Sequence, residues 1–354
     1  MIRGEKKCIG LIFGGNSNEH DVSISSAKTV FKAFNSEINN LRYWVKAFYI
    51  NKSGDWLDSD LSEKILIGES ENNKTKKYGT LNQKINFLEG VEFQDVDIWF
   101  PLLHGFNGED GSIHGLLKFT KKPLVGCGIL GSALGMDKIL MKTIFSNLKI
   151  PQVNYLFFQN QDHHEKEVKN KLTSEIIKKL NFPVFVKPSN SGSSLGISKV
   201  RNQSELLQAL EKAWEIDSRI VVEEGLEVRE IECGIIGNLE LLTSEIGEVS
   251  HENDWYDYET KYNLNNQITI PAKIDSRTTK QIKKIAIQSC KALNIYGFAR
   301  VDFFLEKSSN KILLNEINTI PGFTKNSMFP MLWRASGLNI EQLVAKLVDI
   351  TLDL

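Results

Sequence analysis

The chain has 354 residues, enough for two or three domains with substantial cores. Its 41% hydrophobic and 25% charged residues are ordinary for a soluble globular protein, and a net charge of −1 removes the main argument for a nucleic-acid partner, since neutralising phosphates needs clustered base. Cys8, Cys127, Cys233 and Cys290 lie far apart without a C-x-x-C spacing, which argues against zinc and disulfide frameworks and fits a reducing cytoplasm. The apolar run 9–13 is too short for a signal core, and no stretch approaches membrane-spanning length.

In chain order, a buried-type strand over 8–13 runs into the loop Gly14-Gly15-Asn16-Ser17-Asn18-Glu19-His20, then a helix over 21–34 with Val22, Val30, Phe31 and Phe34 inward. Strand, glycine loop and helix form the opening unit of a doubly wound sheet. A second strand spans 43–50, residues 68–84 read as an irregular polar excursion, and a third strand spans 97–103. It ends at His104-Gly105-Phe106-Asn107-Gly108-Glu109-Asp110-Gly111, before a helix over 112–119. Both glycine loops thus sit at strand C-termini, where such sheets hold ligands. A new unit starts near Gly131. It has a helix over 136–148 broken by Pro151, a surface excursion over 159–170, a strand over 182–187, a glycine/serine loop over 188–196 and strand again at 197–200. Asn202 with Glu205 predicts a capping box for a helix carrying Leu206, Leu207, Leu210 and Trp214. A strand over 219–223 opens strand-rich sequence that runs to Ile246. The loop 251–266, a helix over 278–293, an acidic hairpin and a helix over 340–351 complete the chain.

The hairpin is the most informative segment. Ala299-Arg300-Val301-Asp302-Phe303-Phe304 and Leu313-Leu314-Asn315-Glu316-Ile317-Asn318 read as strands around a polar reversal. Alternation puts Arg300 with Asp302 on one face and Glu316 with Asn318 on one face, and a turn at 308–310 sets Asp302 opposite Glu316. Two carboxylates at roughly 5 Å repel by about 3 kcal/mol at an effective dielectric near 20, so the arrangement calls for a cation. Two acids and an amide suit magnesium or manganese better than zinc. The rigid turn Thr319-Ile320-Pro321-Gly322-Phe323-Thr324 beside them favours a metal site over a solvated acidic face.

Neither the Walker phosphate loop nor the dinucleotide glycine fingerprint is present. A lysine that ends a strand, Lys187, does precede the loop Pro188-Ser189-Asn190-Ser191-Gly192-Ser193-Ser194-Leu195-Gly196, whose glycines and serines could bring donors to an anion. Glu223 and Glu224 end another strand as exposed acids, the acceptors that a purine amino group and ribose hydroxyls need. Arg300 is either a structural partner of Asp302 or a donor to charge developing on a transferred group. His104, at a strand end before a glycine, is a candidate substrate contact, whereas His163, His164 and His251 fall in polar loops and read as surface.

Together Lys138, Lys187 with its Gly-Ser-Ser loop, Glu223, Arg300-Val301-Asp302 and Asn315-Glu316-Ile317-Asn318-Thr319-Ile320-Pro321-Gly322 resemble the ATP-grasp superfamily and, more narrowly, the D-alanine–D-alanine ligases. The resemblance runs from Gly14-Gly15-Asn16-Ser17 to Ser327-Met328-Phe329-Pro330. It departs at His114, where the family commonly has glutamine, and at Glu224, where lysine is frequent.

The resemblance implies an N-terminal doubly wound α/β domain over 1–135, followed by an α+β ATP-grasp unit over 136–354, itself a central subdomain (136–223) and a catalytic one (224–354). It implies ligation of two D-alanines through an acylphosphate, for peptidoglycan, by a cytoplasmic homodimer with no nucleic-acid or membrane partner. ATP is the co-substrate, with two Mg2+ or Mn2+ ions held by Asp302, Glu316 and Asn318. Lys138, Lys187, Ser194 and Lys261 belong to its ATP site, as do Glu223, the main chain of Glu224 and Leu226, and Glu230, which hold adenosine. Glu19 pairs with the first D-alanine's ammonium; Arg300 and the Gly322 amide form the oxyanion site. Ser193 and Tyr262 link to Glu19 and close a lid over 251–266. Ser327 binds the second carboxylate and Met328 offers a methyl contact. Two other activities stay open: a ligase using D-serine or D-lactate, and a nucleotide-binding regulator without the chemistry.

Overall fold

A computed structural model of the chain describes residues 6–68, 93–159, 166–192, 195–250 and 267–353. The first unit is built from β1 (Lys7–Gly14), α1 (His20–Phe34), β2 (Tyr43–Ile50), α2 (Ser59–Ile67), β3 (Ile98–Pro101) and α3 (Ser112–Lys118). Its three strands are parallel in the order β2-β1-β3. β1 reads as an unbroken apolar run because both its faces are covered. Ile9, Leu11 and Phe13 pack towards α1, while Cys8 and Ile12 pack on the opposite side with Phe48, Trp99 and Leu117.

The next unit holds α4 (Ile129–Met136), α5 (Lys138–Asn147), β4 (Tyr155–Gln159), α6 (Lys166–Lys179), β5 (Val184–Pro188), β6 (Ser198–Val200), α7 (Gln203–Trp214) and β7 (Arg219–Glu224). Its antiparallel sheet runs β4-β7-β5-β6. Val184, Val186, Ile220 and Val222 bury one face against Leu172 and Ile176 of α6 and Leu206 and Leu210 of α7. By alternation Lys187 and Glu223 occupy the other face.

The last unit holds β8 (Val228–Gly237), β9 (Leu241–Ser250), β10 (Gln267–Thr269), α8 (Ser276–Ala292), β11 (Gly297–Glu306), β12 (Ile312–Asn318), α9 (Met328–Ala335) and α10 (Ile340–Leu352). Its antiparallel sheet runs β10-β9-β8-β11-β12. Ile231, Cys233, Val301, Phe303 and Ile317 bury one face under Ile282 and Ala286 of α8, which leaves Glu232, Arg300, Asp302 and Glu316 on the other. Helix α10 returns to the first unit, where Leu343, Val344 and Leu347 share a core with Ala27 and Val30 of α1.

Three local expectations are corrected. The helix expected over 136–148 starts later, as α5, because Asp137 leaves helical geometry after Met136 ends α4 and caps α5, its Oδ1 accepting from the amides of Ile139 and Leu140. The surface excursion over 159–170 contains the end of β4 and the start of α6, whose apolar spacing of Leu172 and Ile176 pins it to the sheet. Asn202 does cap α7, through the amide of Ser204, but Glu205 reaches the amide of Arg201 rather than that of Asn202, so the reciprocal box is absent; Leu207 faces out at 42% exposure. The excursion over 68–84 and the loop 251–266 lie, but for Gly68, outside the described residues.

His114 sits on α3 at 3% exposure, its Nε2 3.4 Å from Ser132 Oγ of α4 and its Nδ1 without a hydrogen-bond partner. Burial, only partly opposed by Asp110, pushes its pKa down from 6.5 to about 4. The ring is therefore neutral in the fold, and below pH 6.5 the unfolded chain takes up the extra proton. Stability that is present above 6.5 is lost as pH falls towards 4, by about 2 kcal/mol at pH 5. Urea unfolding at pH 7.5 and pH 5 is expected to show a steeper acid loss in the parent than in His114→Gln by that amount; equal losses would mean that the ring already titrates normally.

Candidate active site

A cavity of about 1430 Å³ opens where the three units meet, lined by the polar faces of both antiparallel sheets and by the loops after β1 and β3. Every sequence-predicted site residue among the described ones borders it. Ser193, Ser194, Lys261 and Tyr262 lie outside the described residues.

One side carries buried lysines. Lys138 starts α5 and, at 8% exposure, donates to the carbonyl of Ser191 at 2.6 Å and sits 3.5 Å from Glu316 Oε2. Asp137 fixes that lysine. Besides capping α5, it accepts from Ser189 Oγ and pairs with Arg219 at 2.7 Å, while the Lys138 amide bonds the Ser189 carbonyl. Lys187 Nζ donates to Glu223 Oε2 at 2.6 Å. Glu223 corrects an expectation: it is 2% exposed rather than an exposed acid, because β7 runs between β4 and β5. Burial pushes its pKa up, yet the charges of Lys142 and Lys187 outweigh burial and hold it at about 2. Glu224 turns its carboxylate to the amides of Asn154 and Asn181, and its own amide donates to the Asn154 carbonyl. Leu226 and Glu230 line the wall beyond.

Opposite lies the acidic hairpin, where Asp302 pairs in register with Glu316 and Arg300 with Asn318. The reversal itself, with Leu305 opposite Ile312, would align Asp302 with Asn315. An irregularity after Asp302, with Phe303 opposite Leu314, leaves Asn315 as the extra residue and brings Glu316 across. Arg300 clamps Asp302 through Nε and Nη2, both at 2.7 Å, and its Nε also lies 2.7 Å from Glu232 of β8. Burial disfavours its charge, but Asp302 and Glu232 prevail and hold its pKa well above the usual arginine range. Asn318 Nδ2 donates to Asp302 Oδ2 at 2.8 Å, which turns its carbonyl oxygen away from that carboxylate. Among the described residues no three His, Cys, Asp or Glu side chains are gathered as a metal cage. Two carboxylates in register and an amide oxygen, with substrate phosphates completing the shell, nonetheless fit the few protein ligands magnesium takes.

The third wall comes from the first unit. Glu19 leans on two glycines, and a Cβ on Gly105 (φ +72) would fall 2.7 Å from its Oε2, one on Gly192 3.2 Å away. Any larger residue at Gly105 would push the carboxylate aside. His104 is buried, with Nδ1 2.9 Å from the Ile320 carbonyl and Nε2 3.0 Å from Ser26 Oγ, which accepts from the Phe323 amide. Both ring nitrogens thus brace the turn carrying Gly322, while the residue borders the cavity, where a substrate contact was expected. Glu109 does the same, accepting from the amides of Gly105 and Ile320. Ser327 Oγ accepts from the Thr324 amide and lies 2.9 Å from where a Gly322 Cβ would stand, while Met328 is buried against Gly247 of β9.

Sequence reading missed Asp137, Lys142, Glu109 and Glu232. The signals were an acid directly before a helix, a lysine one turn after Lys138, and an acid two residues beyond Glu230 on one strand face; Glu109 had none, because one of the amides it holds, that of Ile320, lies 211 positions away.

Two family models together cover most of the chain: the D-ala D-ala ligase N-terminus at residues 8–127 and the D-ala D-ala ligase C-terminus at 144–349. A D-alanine–D-alanine ligase of Prochlorococcus marinus strain MIT 9312 is 82% identical over the full length of both chains. Among solved structures, the VanG D-Ala:D-Ser ligase of Enterococcus faecalis is 34% identical with a TM-score of 0.82, covering 98% of this chain and 100% of its own. The D-alanine–D-alanine ligase of Coxiella burnetii is 31% identical with a TM-score of 0.81, covering 99% of this chain and 95% of its own. With both halves matched, relatives aligned end to end and the expected ATP-grasp fold in place, the chain belongs to the D-alanine–D-alanine ligase family.

Proposed function

We propose that the protein joins two D-alanines into D-alanyl-D-alanine with ATP, supplying the dipeptide for peptidoglycan. The observation that carries this reading is one cavity in which the lysines 138 and 187 face the Asp302–Glu316 pair and Arg300, with Glu19 on the third wall. A carboxylate is a poor electrophile, so the first D-alanine's carboxylate oxygen takes the γ-phosphoryl group of ATP, releasing ADP. The second D-alanine's amine then attacks the acylphosphate carbonyl, phosphate leaves with the bonding pair, and the amine sheds its proton.

Lys138 and Lys187 hold the phosphates, and Glu223, the main chain of Glu224 and Leu226, and Glu230 hold adenosine. Glu19 receives the first ammonium. Arg300 and the Gly322 amide stabilise the oxyanion of the tetrahedral centre. Asp302, Glu316 and the Asn318 oxygen would hold magnesium or manganese, which when bound would offset the negative charge of the transferred phosphoryl group. Ser194 and Lys261 complete the ATP contacts; Ser193 and Tyr262 join Glu19 to a lid over 251–266, which keeps water from the acylphosphate. Ser327 binds the second carboxylate. The units 1–135, 136–223 and 224–354, the last two together the ATP-grasp part, make up each protomer of a cytoplasmic homodimer. Among the described residues no helix is long and apolar enough to cross a membrane.

The likeness to a D-Ala:D-Ser ligase raises the second reading. Met328, buried after Ser327, offers apolar contact and no donor for a serine hydroxyl, and Lys261-Tyr262 is the pair that D-lactate ligases of the family lack. D-alanine-dependent ADP release, with products from mixed D-alanine, D-serine and D-lactate separated by mass, is expected to yield the D-alanine dipeptide predominantly. A predominance of the serine dipeptide or the ester would overturn the substrate assignment, and ADP release indifferent to D-alanine would overturn the ligase itself.

A further inference from the structure

Helix α5 carries a lysine with no part in the chemistry above. Lys142 lies one helical turn beyond Lys138, is 1% exposed, and does not border the cavity. Its Nζ is 2.7 Å from Glu223 Oε1, while Lys187 holds the other oxygen at 2.6 Å. Two ammonium groups therefore bracket one carboxylate inside the protein. Its ammonium also sits 5.3 Å above the ring of Tyr155, the residue paired with Glu223 across β4 and β7.

A buried lysine is costly, and burial pushes the Lys142 pKa down against the pull of Glu223. Glu223 has no structural need of it: a pair formed by Lys187 and Glu223 alone would already be neutral and hydrogen-bonded. What the second ammonium changes is the charge of the cluster, two cations against one anion. Lys142 is sealed behind the sheet and Lys187 borders the cavity, so the surplus positive charge is presented at Lys187.

We propose that Lys142 is a positioning residue for the nucleotide: by neutralising Glu223 from behind, it keeps the Lys187 ammonium available as a net cation for phosphate oxygens. The proposal rests on the ATP reading of this cavity. It separates the phosphate from the adenosine part of binding, because adenosine gains nothing from charge at Lys187.

The test is calorimetric titration of the full chain with ADP and with adenosine, alongside melting curves without ligand. In Lys142→Met the ADP-to-adenosine affinity ratio is expected to fall roughly tenfold, as when one partner of a buried charge network is removed. Lys142→Gln keeps a donor to Glu223 without the charge and serves as the second variant; the same fall is expected there. In Lys142→Met combined with Glu223→Gln the cluster again carries one net positive charge, so the ratio should return towards that of the parent even if adenosine itself binds less well. A merely structural lysine would weaken both ligands together and leave the ratio unchanged, which overturns the proposal, as would a double variant with a ratio no better than the single. A parent that binds ADP no better than adenosine would instead remove the ATP reading beneath it.

Discussion

Glu316→Gln is expected to lower D-alanine-dependent ADP release by roughly a hundredfold or more, with an unchanged melting temperature. The isostere keeps the volume of β12 and removes one of the two carboxylates that face each other across the hairpin. Its side chain is 29% exposed and its ion pair with Lys138 is long at 3.5 Å, so the fold loses little. Relief of the repulsion with Asp302 acts in the opposite direction and favours folding. Lost instead is a full negative charge at the position proposed to ligate magnesium. Turnover measured across a magnesium titration separates the outcomes: a raised magnesium requirement together with a lower ceiling is expected. Parental turnover at ordinary magnesium would make the hairpin an acidic surface and the metal assignment wrong.

Arg300→Lys should reduce kcat by about 10²–10³, equivalent to roughly 3–4 kcal/mol of transition-state stabilisation, with a much smaller change in KM for ATP. The charge survives the substitution, but the planar fork does not. Arg300 holds Asp302 at two points and meets Glu232 from the same Nε, a geometry one ammonium cannot reproduce. The guanidinium is thereby aimed rather than merely charged, and under the proposed role the oxyanion of the transition state depends on that aim. Since the arginine is tightly enclosed by carboxylates, the melting temperature belongs in the same experiment, and the kinetic loss should persist at temperatures where the variant is fully folded. If kcat stayed within threefold of the parent, Arg300 would be a structural partner of Asp302, the other role that its position beside that acid allows.

The acidic hairpin was legible in the chain because its information is local. Strand alternation and one reversal put Asp302 near Glu316 with no knowledge of the rest, and the register bears this out. Even so, the pairing depends on an extra residue at Asn315 that no propensity announces. The parallel opening unit was legible for a similar reason: β1 is apolar throughout because both faces are covered.

Local pattern said nothing about which polar groups would be bought inside. Glu223 reads as an exposed strand-end acid, yet the placement of β7 between two neighbours buries it and supplies two lysines from different elements. His104 reads as a ligand contact and borders the cavity, but its ring is also tied to residues 78 and 216 positions away, which no local pattern announces. Residue types, spacing and strand alternation by themselves determined the chemistry at hand: a strand lysine, an arginine and facing carboxylates beside a glycine turn. Tertiary structure alone decided which of these groups face the cavity and which stand behind them, because burial and charge pairing depend on elements that meet only when the sheets and helices pack.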